Sequence, residues 1–373
     1  MIRADVLILG AGPTGAVAAL NLAPTRRVIL VEWKPQAARR IGEALPPAAR
    51  RLLTEMGLFE TFIAEGHAPC YGNRAVWGNV DPVDTDFLCD PDGHGWHLDR
   101  ARFDGWLRRA AIARGAEILT PARLVAVEPG GEGWRAQLAT ARGQVDVAAA
   151  FAIDAGGRAA PLARRLGAQR RATDRLVCGW IHGGARPLGR GAGLTTVEAV
   201  EDGWFYTAPL PEERRVLAFL TDADLPAAVI ARNGARLAEC ATATREIRAI
   251  LAESKFTPIV GGFTAAHSSV LEPCAAEGWL AAGDASLSFD PLSAQGLLHA
   301  LFTGLAAAEA ADAYLLGDRD VGPQYLQLMD GIQRGYHKHL DLCYATETRW
   351  PSSPFWKRRQ NALAPITAEA RAR

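Results

Sequence analysis

Between an apolar run, Asp5-Val-Leu-Ile-Leu9, and an Ala/Leu-rich stretch reaching about Leu22 stands Gly10-x-Gly12-x-x-Gly15. Few short patterns restrict a fold so strongly. The apolar run reads as a buried parallel strand and the stretch after it as a helix. Gly10 permits the tight turn, Gly12 lets a pyrophosphate approach the backbone, and Gly15 lets helix and strand pack closely. The helix N-terminus offers free N–H groups and the positive end of its dipole to a diphosphate. A second apolar run, Arg27 to Val31, ends in Glu32, 22 residues after Gly10. A carboxylate there can accept bonds from ribose hydroxyls. The unit is a dinucleotide-binding βαβ, and by itself it does not choose between NAD and FAD.

The bulk numbers set outer bounds. A chain of 373 residues has room for about two or three domains. With 41 basic and 41 acidic residues the formal charge is zero, so nothing points to nucleic acid or an anionic membrane. The six cysteines are scattered without a CxxC pair, which argues against a zinc site or a disulfide framework and fits a reducing compartment. Met1-Ile2-Arg3 and the following run resemble a leader, but Gly10, Gly12, Pro13 and Gly15 interrupt it. No stretch approaches the ~18 apolar residues of a membrane-spanning helix. The expectation is a soluble, cytoplasmic protein with no metal, no nucleic-acid partner and no membrane insertion.

Further along, a helix is expected from about Pro47, carrying Leu52, Leu53 and Met56 and stopping at Gly57. Residues 67–98 read as a loop-rich excursion and Ala101 to Ala113 as helix. A hairpin turn is expected at Gly130–Gly133. Residues 175–225 have strand composition, and Leu225 to Glu253 reads as helix. The chain returns to the first pattern at Trp279-Leu-Ala-Ala-Gly283-Asp284 and ends in a long helix from about Gly322. The expected division is a discontinuous cofactor domain (1–70, 98–170 and 276–310), a substrate domain (71–97 and 171–275) and a C-terminal helical segment (311–373).

Two distant segments decide the cofactor. Phe151-Ala-Ile-Asp154-Ala-Gly-Gly157 is an apolar strand ending in Asp-x-Gly-Gly. Gly283-Asp284, followed by Asp290-Pro291-Leu-Ser-Ala-Gln295-Gly296, ends another strand and opens a helix. Asp284 suits a ribityl hydroxyl, and residues 291–296 can aim helix N-terminal N–H groups at the flavin edge that becomes anionic on reduction. With Arg40-Ile-Gly42-Glu43-Ala-Leu-Pro46 and Arg100-Ala-Arg-Phe103-Asp104-x-x-Leu107, the chain resembles the FAD-dependent monooxygenase superfamily of the p-hydroxybenzoate-hydroxylase fold, over roughly residues 3–310. Within it the resemblance is to the branch containing flavin-dependent halogenases. The resemblance implies an α/β chain with a glutathione-reductase-type FAD-binding (Rossmann-like) domain, an inserted antiparallel-sheet substrate domain and C-terminal helices. It implies FAD held by Gly10, Gly12, Pro13, Thr14, Gly15, Glu32, Trp33, Arg40, Arg100, Leu124, Asp154, Gly283, Asp284, Pro291, Gln295 and Gly296.

Two departures bear on the chemistry. Halogenases carry an essential lysine after the Gly-Glu motif; here the lysines are Lys34, Lys255, Lys338 and Lys357, and Tyr71-Gly-Asn-Arg74-Ala-Val-Trp77 occupies that stretch. The halogenase Trp-x-Trp-x-Ile-Pro is present only as Trp204-Phe-Tyr206-Thr-Ala-Pro209. A closer likeness lies in Gly93-His94-Gly-Trp96-His97-Leu-Asp99-Arg100 with Glu198-Ala-Val-Glu-Asp-Gly-Trp204. These look like the flavoproteins that oxygenate a tryptophan of a partner protein during maturation of tryptophylquinone enzymes. The implied reaction is aromatic hydroxylation through a flavin C4a-hydroperoxide, using O2 and electrons from NAD(P)H or a separate flavin reductase. Glu43, His97 and Gln295 are the expected acid–base or orienting residues, since imidazole titrates near neutrality. Trp77, Trp204 and Tyr206 are expected to line the substrate pocket, with ordinary sheet packing as the alternative. His182 carries no signal. The basic tail after Arg349 suggests an acidic partner or a solvated end. Halogenation, reduction of a small molecule, and an FAD-stabilised chaperone for a partner enzyme remain the competing functions.

Overall fold

The computed structural model describes residues 1–37, 40–131 and 133–361. Its first sheet has eight strands. The path runs Ala275–Ala276, Trp279–Ala281, Gly143–Asp154, Ile2–Leu9, Val28–Val31 and Glu117–Leu119, and the strands Ala122–Gly130 and Gly133–Thr140 join it through Gly143–Asp154. The strands on the path pair in parallel from Trp279–Ala281 through to Glu117–Leu119, with Val6 opposite both Phe151 and Val28. Val6, Leu7, Ile8 and Leu9 are all buried, as a strand covered on both faces requires. The helix Pro13–Leu22 lies between this sheet and the helix Gly296–Leu315 and buries every residue but Asn21. Gly304 allows the crossing, because a β-carbon there would sit 2.6 Å from the Thr14 carbonyl oxygen.

Three strands end side by side: Leu9 is opposite Asp154, and Asp154 is opposite Ala281. The Gly10–Gly15 turn, the Asp154 loop and the Gly283-Asp284 segment therefore converge at the carboxyl edge of one parallel sheet, where such sheets place their ligands.

A second, seven-stranded sheet stands over that edge. Its order is Thr257–Ala265, Leu176–Gly184, Arg214–Asp222, Gly203–Leu210, Leu194–Val200, Gly72–Val76 and Val83–Asp86. Alternation sorts its side chains. Ile181, Phe205, Leu217 and Phe219 pack against three short helices on the outer face. Cys178, Trp180, His182, Trp204 and Tyr206 occupy the opposite face, where His182 meets Glu43 of the first domain.

The single helix expected over Leu225–Glu253 is three: Ala228–Ala231, Gly234–Ala241 and Glu246–Glu253. Capping side chains divide it. The Asn233 side chain accepts from Arg236 N, and the buried Glu198 carboxylate accepts from the backbone N–H groups of Arg245, Glu246 and Ile247. The helix expected from Pro47 to Gly57 is Ala49–Glu55, with Gly57 at φ +67° after it, and a further short helix, Phe59–Ala64, follows.

The chain closes with helices Val321–Ala345 and Pro354–Asn361. The basic tail is corrected here in part. Arg359 pairs with Asp222 at 2.8 Å, and Arg358 pairs with Asp224 at 2.8 Å. These charges hold the C-terminal helix to the second sheet instead of facing a partner. Arg371, Arg373 and Glu369 lie outside the described residues. No helix among the described residues is long and apolar enough to cross a membrane.

Candidate functional site

The residues of the βαβ turn are shaped by what surrounds them. Gly10 has φ +100°, and a β-carbon on it would lie 2.4 Å from the Ala155 carbonyl oxygen. Gly15 would clash with the Gly10 oxygen at 1.8 Å, so helix and turn touch backbone to backbone. Gly12 differs: a β-carbon there would meet only Arg40 Nη2, at 3.9 Å. That open side is the approach to the N-terminus of the helix opened by Pro13, and it fits a diphosphate. Glu32 stands beside it, accepting from Ala11 N at 3.0 Å and from Lys34 N at 2.9 Å, with Arg108 Nη2 at 3.2 Å. Trp33, next along, is 65% exposed.

The remaining cofactor candidates reach the same edge. Gly283, at φ +58°, touches the first helix so closely that a β-carbon would be 2.2 Å from Thr14 Oγ1. Asp284 is part-exposed, 3.8 Å from Arg158 Nε. Pro291, Gln295 and Gly296 are exposed, and nothing lies within 4 Å of a β-carbon built on Gly296. Asp290 holds the base of this segment. It accepts from Leu292 N at 2.9 Å and from the Tyr344 hydroxyl at 2.7 Å, while its own N–H donates to the Tyr336 hydroxyl at 2.7 Å. Arg40 and Arg100 share the buried Asp104 carboxylate, and Arg100 also donates to the Gly42 oxygen at 2.8 Å. Burial, with Arg40 adding to it, pushes the Arg100 guanidinium below its ordinary range, and Asp104 opposes both.

Two of the cofactor candidates have side chains committed to the protein itself. Asp154 does reach the edge, but its oxygens accept from Gly156 N (2.9 Å), Leu162 N (2.8 Å) and Ala163 N (2.9 Å). It shapes its own loop. Burial raises its carboxyl to about 6 despite those three bonds. Leu124 is a buried strand residue opposite Leu138, and its side chain belongs to the core.

Above the Arg40–Arg100 pair lies a narrow cleft with about 10 Å³ of free space, room for one water. Arg40, Glu43, Arg100, His182 and Arg214 line it. Within it the Glu43 carboxylate accepts from Gly42 N at 2.9 Å and from His182 Nε2 at 3.0 Å. A carboxylate only accepts, so Nε2 carries the hydrogen. Nδ1 of His182 is buried without a partner. His182 was invisible in the sequence because its role depends on a partner 139 residues away. The strand alternation that puts His182 beside Trp180 and Tyr206 on the inner face was the only available signal.

His97 is corrected by the same geometry. It sits in the strand Gly95–His97 between Ala44–Leu45 and Ala68–Cys70, with no exposed surface, bonded through Nε2 to Thr195 Oγ1 at 2.8 Å. Burial, with Arg215 nearby, lowers it to about 3. It is a neutral core imidazole at physiological pH. Trp204 and Trp77 also move out of the substrate list. Their rings lie 6.4 Å apart, and Trp77 packs on Tyr344 and Trp356, so together they bind the C-terminal helices to the sheet. Trp204 is 1% exposed. Tyr206 remains half-buried on the inner face, with burial and then Glu43 raising its phenol well above the ordinary range. Gln295 is exposed at the start of its helix, distant in role from the Glu43 pair.

Fold and edge together define a flavin-binding oxidoreductase. The model of the FAD binding domain matches residues 3–302, and the chain belongs to that family. It is 28% identical over 369 residues to the "Putative FAD-dependent oxidoreductase LodB" of Marinomonas mediterranea, spanning 95% of this chain and 96% of that one. The fold is shared with flavin-dependent halogenases. CmlS, a flavin-dependent halogenase, aligns with a TM-score of 0.86 at 24% identity, over 99% of this chain and 70% of its own. QhpG, a peptidyl tryptophan dihydroxylase essential for tryptophylquinone cofactor biogenesis, aligns with a TM-score of 0.72 at 23% identity, over 96% and 79%.

Proposed function

We propose that the protein is an FAD-dependent monooxygenase that hydroxylates an electron-rich aromatic ring, with a tryptophan of a partner protein as the substrate. The observation that carries this reading is the composition of the cleft. It offers a buried carboxylate–imidazole pair, Glu43 and His182, and no lysine lines it. In the stretch that corresponds to the halogenase lysine segment, Tyr71 to Trp77, the one cation is Arg74, bound by Asp84 at 2.7 Å and Glu246 at 2.9 Å on the outer side of the second sheet. The likeness to QhpG supports a peptidyl tryptophan as substrate.

In this reading Gly12, Thr14 and Glu32 hold the diphosphate and ribose, Asp284 a ribityl hydroxyl, and residues 291–296 the flavin edge. FAD, reduced by NAD(P)H or a separate reductase, supplies activated oxygen when bound. The chain's own residues do the rest. Arg100 and Arg40, both paired with Asp104, fix the Gly42–Glu43 turn. Glu43 keeps the hydrogen of His182 on Nε2 and stabilises the imidazolium that forms when Nδ1 takes a proton. An aromatic ring that has accepted oxygen loses a ring proton to regain aromaticity, and His182 Nδ1 is the base for it. The second sheet covers this step and excludes water.

The test supplies reduced holoprotein, O2 and a tryptophan-bearing peptide of the partner, and reads the peptide by mass spectrometry. Oxygen added to the tryptophan supports the proposal. The likeness to CmlS favours a second reading, halogenation; bromide-dependent bromination of the same peptide would replace the first reading with it.

A further inference from the structure

On the far side of the strand Gly95–His97 from the second sheet lies a surface pocket of about 240 Å³. Trp96 lines it, while the next residue, His97, turns the other way to Thr195. The pocket is thus separated from the Glu43–His182 cleft, whose wall continues in Leu98 and Asp99. Its walls are a continuous run of rings. His67 lies 5.3 Å from Phe62, Phe62 5.2 Å from Trp96, Trp96 5.1 Å from His94, and His94 5.8 Å from Tyr71. The Arg50 guanidinium backs the Trp96 ring at 5.8 Å.

The two imidazoles have opposite polarity. His94 Nδ1 lies 2.7 Å from the Gly95 carbonyl oxygen and so carries the hydrogen, leaving Nε2 as an acceptor. His67 Nδ1 accepts from the Asp99 N–H at 3.2 Å, so its hydrogen is on Nε2, which is buried without a partner. Burial lowers His67 to about 4, so the ring stays uncharged at neutral pH. Beyond the imidazoles, only Phe62, Ile63, Pro69, Tyr71 and Trp96 line the pocket. Among the described residues no lysine, arginine or carboxylate does, which disfavours a phosphate or a carboxylate ligand. The volume is below the ~300–1,000 Å³ of pockets for drug-sized molecules and suits one or two fused rings.

We propose that this pocket is a second binding site, distinct from the Glu43–His182 cleft, for a small planar aromatic ring bearing an N–H or O–H, of the indole or phenol class. The ring stacks on Tyr71, against Ile63 and Pro69 and over the buried edge of Trp96, and donates to His94 Nε2. Such a ring arrives either as a free molecule or as a tryptophan or tyrosine side chain. The site stands whether or not the reaction at the flavin is hydroxylation.

The experiment titrates FAD-loaded protein with indole and follows binding by calorimetry and saturation-transfer NMR. One saturable site is expected. His94→Leu weakens it about fivefold to tenfold, the loss of one hydrogen bond, and Tyr71→Ala weakens it through lost stacking. Glu43→Gln, in the cleft, leaves it unchanged. Tyr71 is half-exposed, so Tyr71→Ala serves if His94→Leu does not retain FAD and wild-type melting. Displacement of indole by a tryptophan-bearing peptide assigns the ring to a polypeptide; displacement only by free indoles and phenols assigns it to a small molecule. Absence of saturable binding, or binding that survives both pocket variants but is lost in Glu43→Gln, overturns the proposal.

Discussion

Replacing Glu43 by Gln isolates the cleft chemistry with almost no change of shape. One carboxylate oxygen accepts from Gly42 N at 2.9 Å and the other from His182 Nε2 at 3.0 Å. Glutamine has one acceptor. If its oxygen stays on the Gly42 N–H, its NH2 faces His182, and that nitrogen must then accept. The imidazole hydrogen moves to Nδ1, and the base is lost. The stability cost is that of exchanging a bond to a charged acceptor for a neutral one, about 1–2 kcal/mol. Unfolding entropy for a chain of 373 residues is roughly 0.8 kcal/mol/K, so the melting temperature falls by about 1–3 °C. Turnover falls by about 10²–10⁴, the range of a lost general base. Nitrogen-15 NMR of labelled histidine reads the tautomer without any substrate. The wild type shows His182 protonated at Nε2 and the variant at Nδ1. An unchanged tautomer, or a variant turning over at the wild-type rate, refutes the reasoning.

Other consequences follow from single contacts. Gly15→Ala forces a β-carbon to within 1.8 Å of the Gly10 oxygen, so the variant loses FAD and melts well below the wild type, read by flavin absorbance after gel filtration. Tyr344→Phe removes the hydroxyl bonded to buried Asp290, which costs about 1–3 kcal/mol and weakens FAD binding measured by equilibrium dialysis, because residues 291–296 hang from Asp290. His97 is held at about 3 in the fold against about 6.5 in the unfolded chain. Its depressed value means the unfolded chain binds the extra proton, so its contribution is complete above pH 6.5 and is lost as the pH falls toward 3. Denaturant titrations at successive pH values show this loss flattened in His97→Asn.

The cofactor edge was the most legible part of the chain. Strand, glycine turn, helix and acid are local in sequence, and each residue's role follows from backbone geometry that only glycine or a strand end supplies. The second sheet was legible as strand composition, though not its pairing order. What failed was side-chain direction. His97 and His182 are equivalent as letters, yet one is walled in by Thr195 and two flanking strands while the other meets Glu43 across two domains. Trp204 reads as a ligand platform until the helix Pro354–Asn361 is seen to bury it. Asp154 looked like a cofactor ligand because its loop is next to one. Its bonds to Leu162 and Ala163 depend on a turn that has no sequence signature.

The central claim is that oxygen from O2 goes onto an aromatic ring while Glu43 and His182 take the ring proton. The most direct test is a single turnover of the reduced holoprotein with isotopically heavy O2 and a tryptophan-bearing partner peptide. The account predicts heavy oxygen on the tryptophan in the wild type, at a rate strongly reduced in Glu43→Gln although FAD remains bound. A product whose oxygen comes from water, or a halogenated peptide in place of a hydroxylated one, would contradict it.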